Sequence, residues 1–398
     1  MKHISVYDPT AKDVQSRVRG IGRYYQTLRE ALDTIDHMEP PKDTNPIKTD
    51  TISQFQTTSS NPGDTLLIQY TSDLQKMKKE NVVINPFFSP IQKPVSVHKV
   101  GNKRIAVIHD IIPLKYPKQF PIGLRGLWYK FLSNRAKGKY DVIVTDSEVS
   151  KQDLINIYKI PQNSIKVIYP TVPHMFLPHM DSRNVHHPFH TNAHGIQPEF
   201  TQLNFEQMSS NKNLANLTDF VLYVGDATWN KNLLALAQAV KLANVTCVCV
   251  GKVFEAKQGK IKPHPWHASL AEFMKMVEGD KRFIFPGFVS DFELMTLYKR
   301  AKTNVLLSHD EGFGLSFIEA GFMSTPSVLS DIPVFREIAG NAADYVDRTN
   351  PKEIAQKIVE HYYDSIQQEK MSIMAFDRAQ EYHPKRFQQK WVEVLTFI

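Results

Sequence analysis

A chain of 398 residues, 42% hydrophobic and 11% aromatic, is long enough for two packed domains and too apolar for a disordered polymer. No apolar run reaches the ~18 residues that cross a bilayer, and the N-terminus lacks the apolar core of a signal peptide, so a cytoplasmic location is expected. The formal net charge of +7 suits anionic ligands and leaves open a peripheral association with an anionic membrane face. No basic stripe interleaved with aromatics and no nucleic-acid module is apparent, so nucleic acid is not an expected partner.

In chain order, His3–Tyr7 is strand-like. A glycine loop, Asp8 to Arg23, follows, and then a helix with Tyr24, Leu28 and Leu32 on one face. Gly20 and Gly22 lie in that loop, at the carboxyl end of a first strand, where open α/β sheets bind ligands. Residues 39–62, rich in Pro, Thr, Ser and Asn, suggest an irregular connection. Strand-like runs recur at 65–68, 82–84 and 104–108, the last delivering His109 and Asp110 to its tip. A strand over 141–147, a helix over 148–158 and a strand over 165–172 complete a domain of residues 1–173.

Residues 174–218 are polar, aperiodic and expected to be partly mobile. Their His186, His187, His190 and His194 have no cysteine or closely set carboxylate to complete a metal site, so no metal is expected. A second domain, 219–380, opens with a strand over 220–225, a polar loop carrying Asn230 and Lys231, and a helix from Leu233. Cys247 and Cys249, the only cysteines, share a strand face and are splayed too far for an easy disulfide, which fits reduced, buried thiols. A strand ending at Gly287–Phe288 follows a basic loop over 252–266, and residues 381–398 read as an amphipathic helix.

The stretch Ser308–Pro326 carries the chemistry. A strand (303–307), a loop with Gly312, Phe313 and Gly314, and a helix from Leu315 point free N–H groups at an anion. Glu311 and Glu319 bracket that site. A carboxylate beside a phosphate is unfavourable unless it accepts hydroxyl hydrogen bonds, and a nucleotide-sugar offers hydroxyls at both ends with phosphates between.

Glu311 to Glu319 is an E-x7-E pair around Gly-Phe-Gly, and this segment closely resembles the retaining GT-B glycosyltransferases of family four. Arg19-Gly-Ile-Gly-Arg-Tyr24, His109-Asp-x-x-Pro113, Tyr223-Val-Gly225 with Lys231-Asn232, and Asp331-Ile-Pro-Val-Phe-Arg-Glu337 are similar to family text as well. The resemblance implies an α/β GT-B fold, two Rossmann-like doubly wound domains facing a central cleft, with residues 381–398 packing back toward the first. It implies catalytic roles for His109, Lys231 and Glu311. Donor binding would fall to Gly20, Gly22, Asn230, Gly287, Phe288, Gly312, Phe313, Gly314, Leu315 and Glu319.

The expected activity is retaining, metal-independent and cofactor-free transfer from a UDP- or GDP-sugar to a saccharide or lipid-linked saccharide, in polysaccharide or glycolipid synthesis. Asp226 and Asn230 stand where many relatives carry a basic residue. They keep a rival open: a nucleotide-sugar-binding or scaffold protein without turnover. An epimerase on the same fold is disfavoured by Glu-Gly-Phe-Gly. A nicotinamide enzyme is disfavoured because Arg23-Tyr24-Tyr25 follows Gly22 where a third glycine would be needed.

Overall fold

The structure, a computed structural model, describes residues 2–8, 10, 20–35, 52–54, 66–73, 77, 82–95, 101–177, 214, 217–255 and 264–398. The chain forms two compact units, Met1–His174 with Tyr382–Ile398, and Met175–Glu381. Arg17, Arg19 and the four histidines of 174–218, with the mobility expected there, lie outside the described residues.

Unit 1 runs β1 (Lys2–Tyr7), α1 (Ile21–Asp33), β2 (Ile52–Gln54), β3 (Leu66–Thr71), β4 (Val82–Asn85), β5 (Lys103–Val107), α2 (Ile112–Lys115), α3 (Gly123–Ala136), β6 (Val142–Thr145), α4 (Glu148–Asn156) and β7 (Ile165–Val167). Its sheet has the order β2-β3-β1-β4-β5-β6-β7 and is parallel except at β2. Both faces are covered, so neighbouring residues of one strand serve different cores. Ile84, Ile105 and Val107 pack with Tyr24, Leu28 and Leu32, whereas Val83, Ala106 and Ile108 pack with Leu154, Tyr158 and Ile160.

Unit 2 runs β8 (Phe220–Val224), α5 (Leu233–Ala243), β9 (Thr246–Val250), α6 (Ala268–Met276), β10 (Phe283–Gly287), α7 (Asp291–Arg300), β11 (Thr303–Leu306), α8 (Leu315–Phe322), β12 (Ser327–Ser330), α9 (Pro333–Ala339), β13 (Asp344–Val346), α10 (Pro351–Tyr363) and α11 (Ser365–Ala379). Its sheet, β10-β9-β8-β11-β12-β13, is parallel throughout. The chain then returns to unit 1 as α12 (Pro384–Phe397), whose Phe387, Trp391, Val394 and Leu395 enter the core that contains α1 and β1. Cys247 and Cys249 are both buried and free, with sulfurs 3.7 Å apart.

Three readings of the sequence are corrected. The stretch 39–62 is not wholly irregular: Ile52–Gln54 pairs antiparallel with β3. Three residues are too few for a period-2 pattern to show. The strand at 165 stops at Val167. Ile168 N–H still reaches Thr145 O at 3.0 Å, but Pro170 has no N–H to extend the ladder. The first glycine loop ends at Gly20, so Gly22 and Arg23 belong to the first turn of α1. Gly20 sets that boundary with a φ of 54°, a conformation that suits glycine.

In each sheet, successive crossovers leave the first strand in opposite directions. β1 lies between β3 and β4, and β8 between β9 and β11. Loops at the carboxyl ends of strands beside such a reversal diverge and leave room for a ligand.

Candidate active site

In unit 2 the reversal brings together the loop after β8 and the loop after β11, and hydrogen bonds join them. His309 N–H donates to Asn230 O (2.7 Å), and the Asn230 side-chain amide donates to Asp310 O (3.1 Å). The Asn232 amide donates to Leu307 O and Arg348 O, each at 3.0 Å. Asn232 itself has a φ of 53°, the left-handed region that asparagine tolerates better than most side chains. Trp229 and His309 stack with ring centroids 4.5 Å apart.

At this junction Lys231 Nζ donates to both carboxylate oxygens of Glu311, at 2.7 and 2.9 Å. Ser308 Oγ donates to Glu311 Oε1 at 2.6 Å. Lys231 and Glu311 are 80 residues apart in sequence, yet form one ion pair that is mostly shielded from water. The junction thus holds an ammonium fixed against a carboxylate whose remaining lone pairs can still accept hydrogen bonds.

The helix behind supplies the other half. Gly314 is the N-cap of α8, and no side chain caps it. Its φ of 104° is left-handed, and an added Cβ would lie 2.8 Å from Phe335 Cε1. This glycine is therefore demanded by backbone geometry and packing, whatever binds beside it. Gly314→Ala is expected to lower stability by about 1–3 kcal/mol, from the strained backbone alone. Thermal denaturation checks this, and an unchanged melting temperature would show that the loop relaxes freely.

Phe313 and Gly312 are buried in the loop, and Leu315 begins the helix. Glu319 is buried one turn on, where its Oε2 accepts from the Tyr298 hydroxyl at 2.9 Å. Gly287, with a φ of 76°, ends β10, and the N–H of half-exposed Phe288 donates to Glu255 Oε1 at 2.8 Å. Asp226 is exposed, its Oδ1 accepting from Ala227 N–H at 2.7 Å.

Arg348, just beyond β13, is a cation that reading the sequence missed. Burial first, and then the Arg348 charge, hold the His309 imidazole below its ordinary pKa. Arg348 sits two residues past a strand's carboxyl end, a positional signal that could have found it.

In unit 1, His109 follows β5. Its Nδ1 donates to Asp146 Oδ2 at 2.8 Å, and its Nε2 faces Pro86 O at 3.1 Å. Both ring nitrogens thus face acceptors, a pairing that only the imidazolium satisfies. Burial works against the charge, but Asp146, then Asp110 and Pro86 O, outweigh it and hold the His109 pKa above its usual value. Tyr24 packs edge-on at 4.5 Å and Phe87 stacks at 6.1 Å. Gly20 and Gly22 lie at the start of α1, on whose first turn Arg23 is buried and Tyr24 reaches this histidine. Asp146 was also missed, although it stands at the tip of β6, just before the Ser147 cap of α4.

Asp146→Asn is expected to drop the His109 pKa, as followed by the NMR shift of its ring protons. Because the folded pKa is raised, the pair adds stability below the unfolded value of about 6.5. That stability is lost as pH rises through the folded value. The melting temperature of the native protein should fall across that window, and that of the variant should not.

The family comparison bears on the second half of the chain. Residues 204–378 match the family model Glycosyl transferases group 1. Among curated proteins, O-antigen chain mannosyltransferase RfbU of Salmonella typhimurium is 27% identical over 265 residues, 65% of this chain and 61% of its own. Serotype-specific mannosyltransferase WbdA of Escherichia coli is 38% identical over 81 residues, 20% of this chain and 10% of its own. The chain therefore spans less than two thirds of the length of either.

Among solved structures, Anabaena Alr3699/HepE in complex with UDP-glucose superposes over 100% of both chains with a TM-score of 0.61 at 13% identity. A glycosyltransferase from Rickettsia africae covers 99% of this chain and 97% of its own, with a TM-score of 0.55 at 17% identity. At such identities the likeness carries the fold, which is GT-B with two Rossmann-like doubly wound units. Among the described residues no helix is long and apolar enough to cross a membrane, and no cluster of His, Cys, Asp and Glu could hold a metal ion.

Proposed function

We propose that the protein transfers a glycosyl group from a nucleoside-diphosphate sugar to a hydroxyl of a saccharide or lipid-linked saccharide, in the synthesis of a surface polysaccharide or glycolipid. The observation that carries this reading is the Lys231–Glu311 pair beside the uncapped N-terminus of α8. The helix N–H groups and Lys231 receive the diphosphate. Glu311 takes sugar hydroxyls and Glu319 those of the ribose. The base lies against the backbone at Gly287 and Phe288.

In the reaction, the bond from the anomeric carbon to the diphosphate oxygen breaks and a bond to the acceptor oxygen forms. The acceptor proton passes to the departing phosphate. With attack on the face the phosphate leaves, configuration is retained. Charge grows on the departing phosphate, and a fixed ammonium there lowers the barrier without a metal. His109, whose pKa Asp146 raises, is the catalytic candidate of unit 1. The mannosyltransferases among the relatives make a nucleoside-diphosphate mannose the first donor to test.

A thermal-shift screen of UDP- and GDP-sugars tests donor binding, since a bound donor raises the melting temperature by mass action. Turnover of the donor that binds separates an enzyme from a binding protein. Binding without hydrolysis or transfer would favour the rival reading, and no shift with any donor would remove both.

A further inference from the structure

Helix α3 wears its apolar side outward. Its packed face is Gly126, Ser133 and Ala136, all buried, whereas Leu124, Leu127, Trp128 and Phe131 are 87%, 54%, 58% and 50% exposed. These four recur at i, i+3, i+4 and i+7, so they form one face over two turns. Trp128 and Phe131 stack at 5.7 Å, and the Arg135 guanidinium, 5.6 Å from the Phe131 ring, continues the stripe. Arg125 and Lys130, both exposed, stand on its two flanks.

From 111 to 140 the chain carries seven Lys and Arg and no Asp or Glu. This corrects the sequence reading that no basic stretch is interleaved with aromatics. Not all seven belong to the face: Lys115 pairs with Asp153 at 2.9 Å, and Lys137 donates to Tyr158 O.

A contiguous apolar face rimmed by cations is costly in water and marks an interaction surface. We propose that α3 lies in the interfacial layer of a bilayer rich in anionic lipids. Leu124, Leu127, Trp128 and Phe131 sit among acyl chains, and Arg125, Lys130 and Arg135 sit on the phosphates. Two exposed leucines within the face, Leu124 and Leu127, favour lipid over nucleic acid, whose bases stack on aromatic rings and give aliphatic side chains little to bind. The proposal stands whatever the transfer chemistry is.

Sedimentation with vesicles tests it. The full chain should bind vesicles of phosphatidylcholine mixed with phosphatidylglycerol, bind weakly to phosphatidylcholine alone, and release with added salt. The double variant Leu127→Ser, Trp128→Ser should lose at least about tenfold in partitioning, with its melting temperature unchanged because both side chains are exposed. A conservative probe covers misfolding: lipids brominated in the acyl chain should quench native tryptophan fluorescence, and Trp128→Phe should lose that quenching. Equal vesicle binding by native and double-variant protein, or quenching unaltered by Trp128→Phe, would overturn the proposal. So would a native dimer that the double variant splits while vesicle binding persists, or capture of an RNA oligonucleotide with no vesicle binding.

Discussion

Lys231→Ala is expected to lower the turnover number by about 10²–10³-fold, the typical loss on removing a preorganised group that stabilises transition-state charge. The substitution removes the only ammonium hydrogen-bonded to Glu311 among the described residues. It therefore also leaves a largely shielded carboxylate facing the incoming diphosphate. Two measurements separate these effects. If the unpaired carboxylate does the harm, Lys231→Ala with Glu311→Ala should recover part of the donor affinity but none of the rate. If Lys231 stabilises the departing phosphate, Lys231→Arg should retain more activity than Lys231→Ala, with its loss mainly in turnover. Single-turnover kinetics with a saturating donor reads the chemical step directly, and an unchanged rate in Lys231→Ala would remove the lysine from the mechanism.

The largest effect on stability is expected in the core of unit 1, at Trp391→Ala, with a loss of about 3–5 kcal/mol. Trp391 is fully buried, with Phe387 edge-on at 6.4 Å, in the core that also holds Ile4, Leu28 and Leu32. The cavity left by an indole there cannot close without moving α1 or the sheet. A helix at the far end of the chain thus completes the core of unit 1. Calorimetry of a two-unit protein can show more than one transition. The one that moves should belong to unit 1, by roughly 10 °C. A small shift would mean that α12 contributes little to that core.

How much of this could be read beforehand follows from how local each feature is. The start of α8 was legible because a strand, two glycines and a helical period lie within twenty residues, and Leu315 does begin that helix. The tip position of His109 was legible for the same reason. What Lys231 touches was not, since its partner is 80 residues away and only the strand order makes them neighbours. Asn230 was noticed as a missing cation, but its work is to hold the two loops together through Asp310 O. Asp146 escaped because nothing in its own segment says that it faces a histidine 37 residues earlier. The outward apolar face of α3 escaped for a different reason. Helical spacing of large apolar residues normally signals a buried stripe, and sequence alone cannot tell which way such a stripe points.

The central claim is that a nucleoside diphosphate is gripped at the α8 N-terminus by an ammonium from the neighbouring loop. Isothermal titration of the native protein and Lys231→Ala with a nucleoside diphosphate and with the parent nucleoside tests it most directly. The account predicts that the diphosphate binds the native protein at least about tenfold more tightly than the nucleoside does, and that Lys231→Ala removes most of this advantage while leaving nucleoside binding unchanged. Equal advantage in both proteins, or none in the native one, would contradict it.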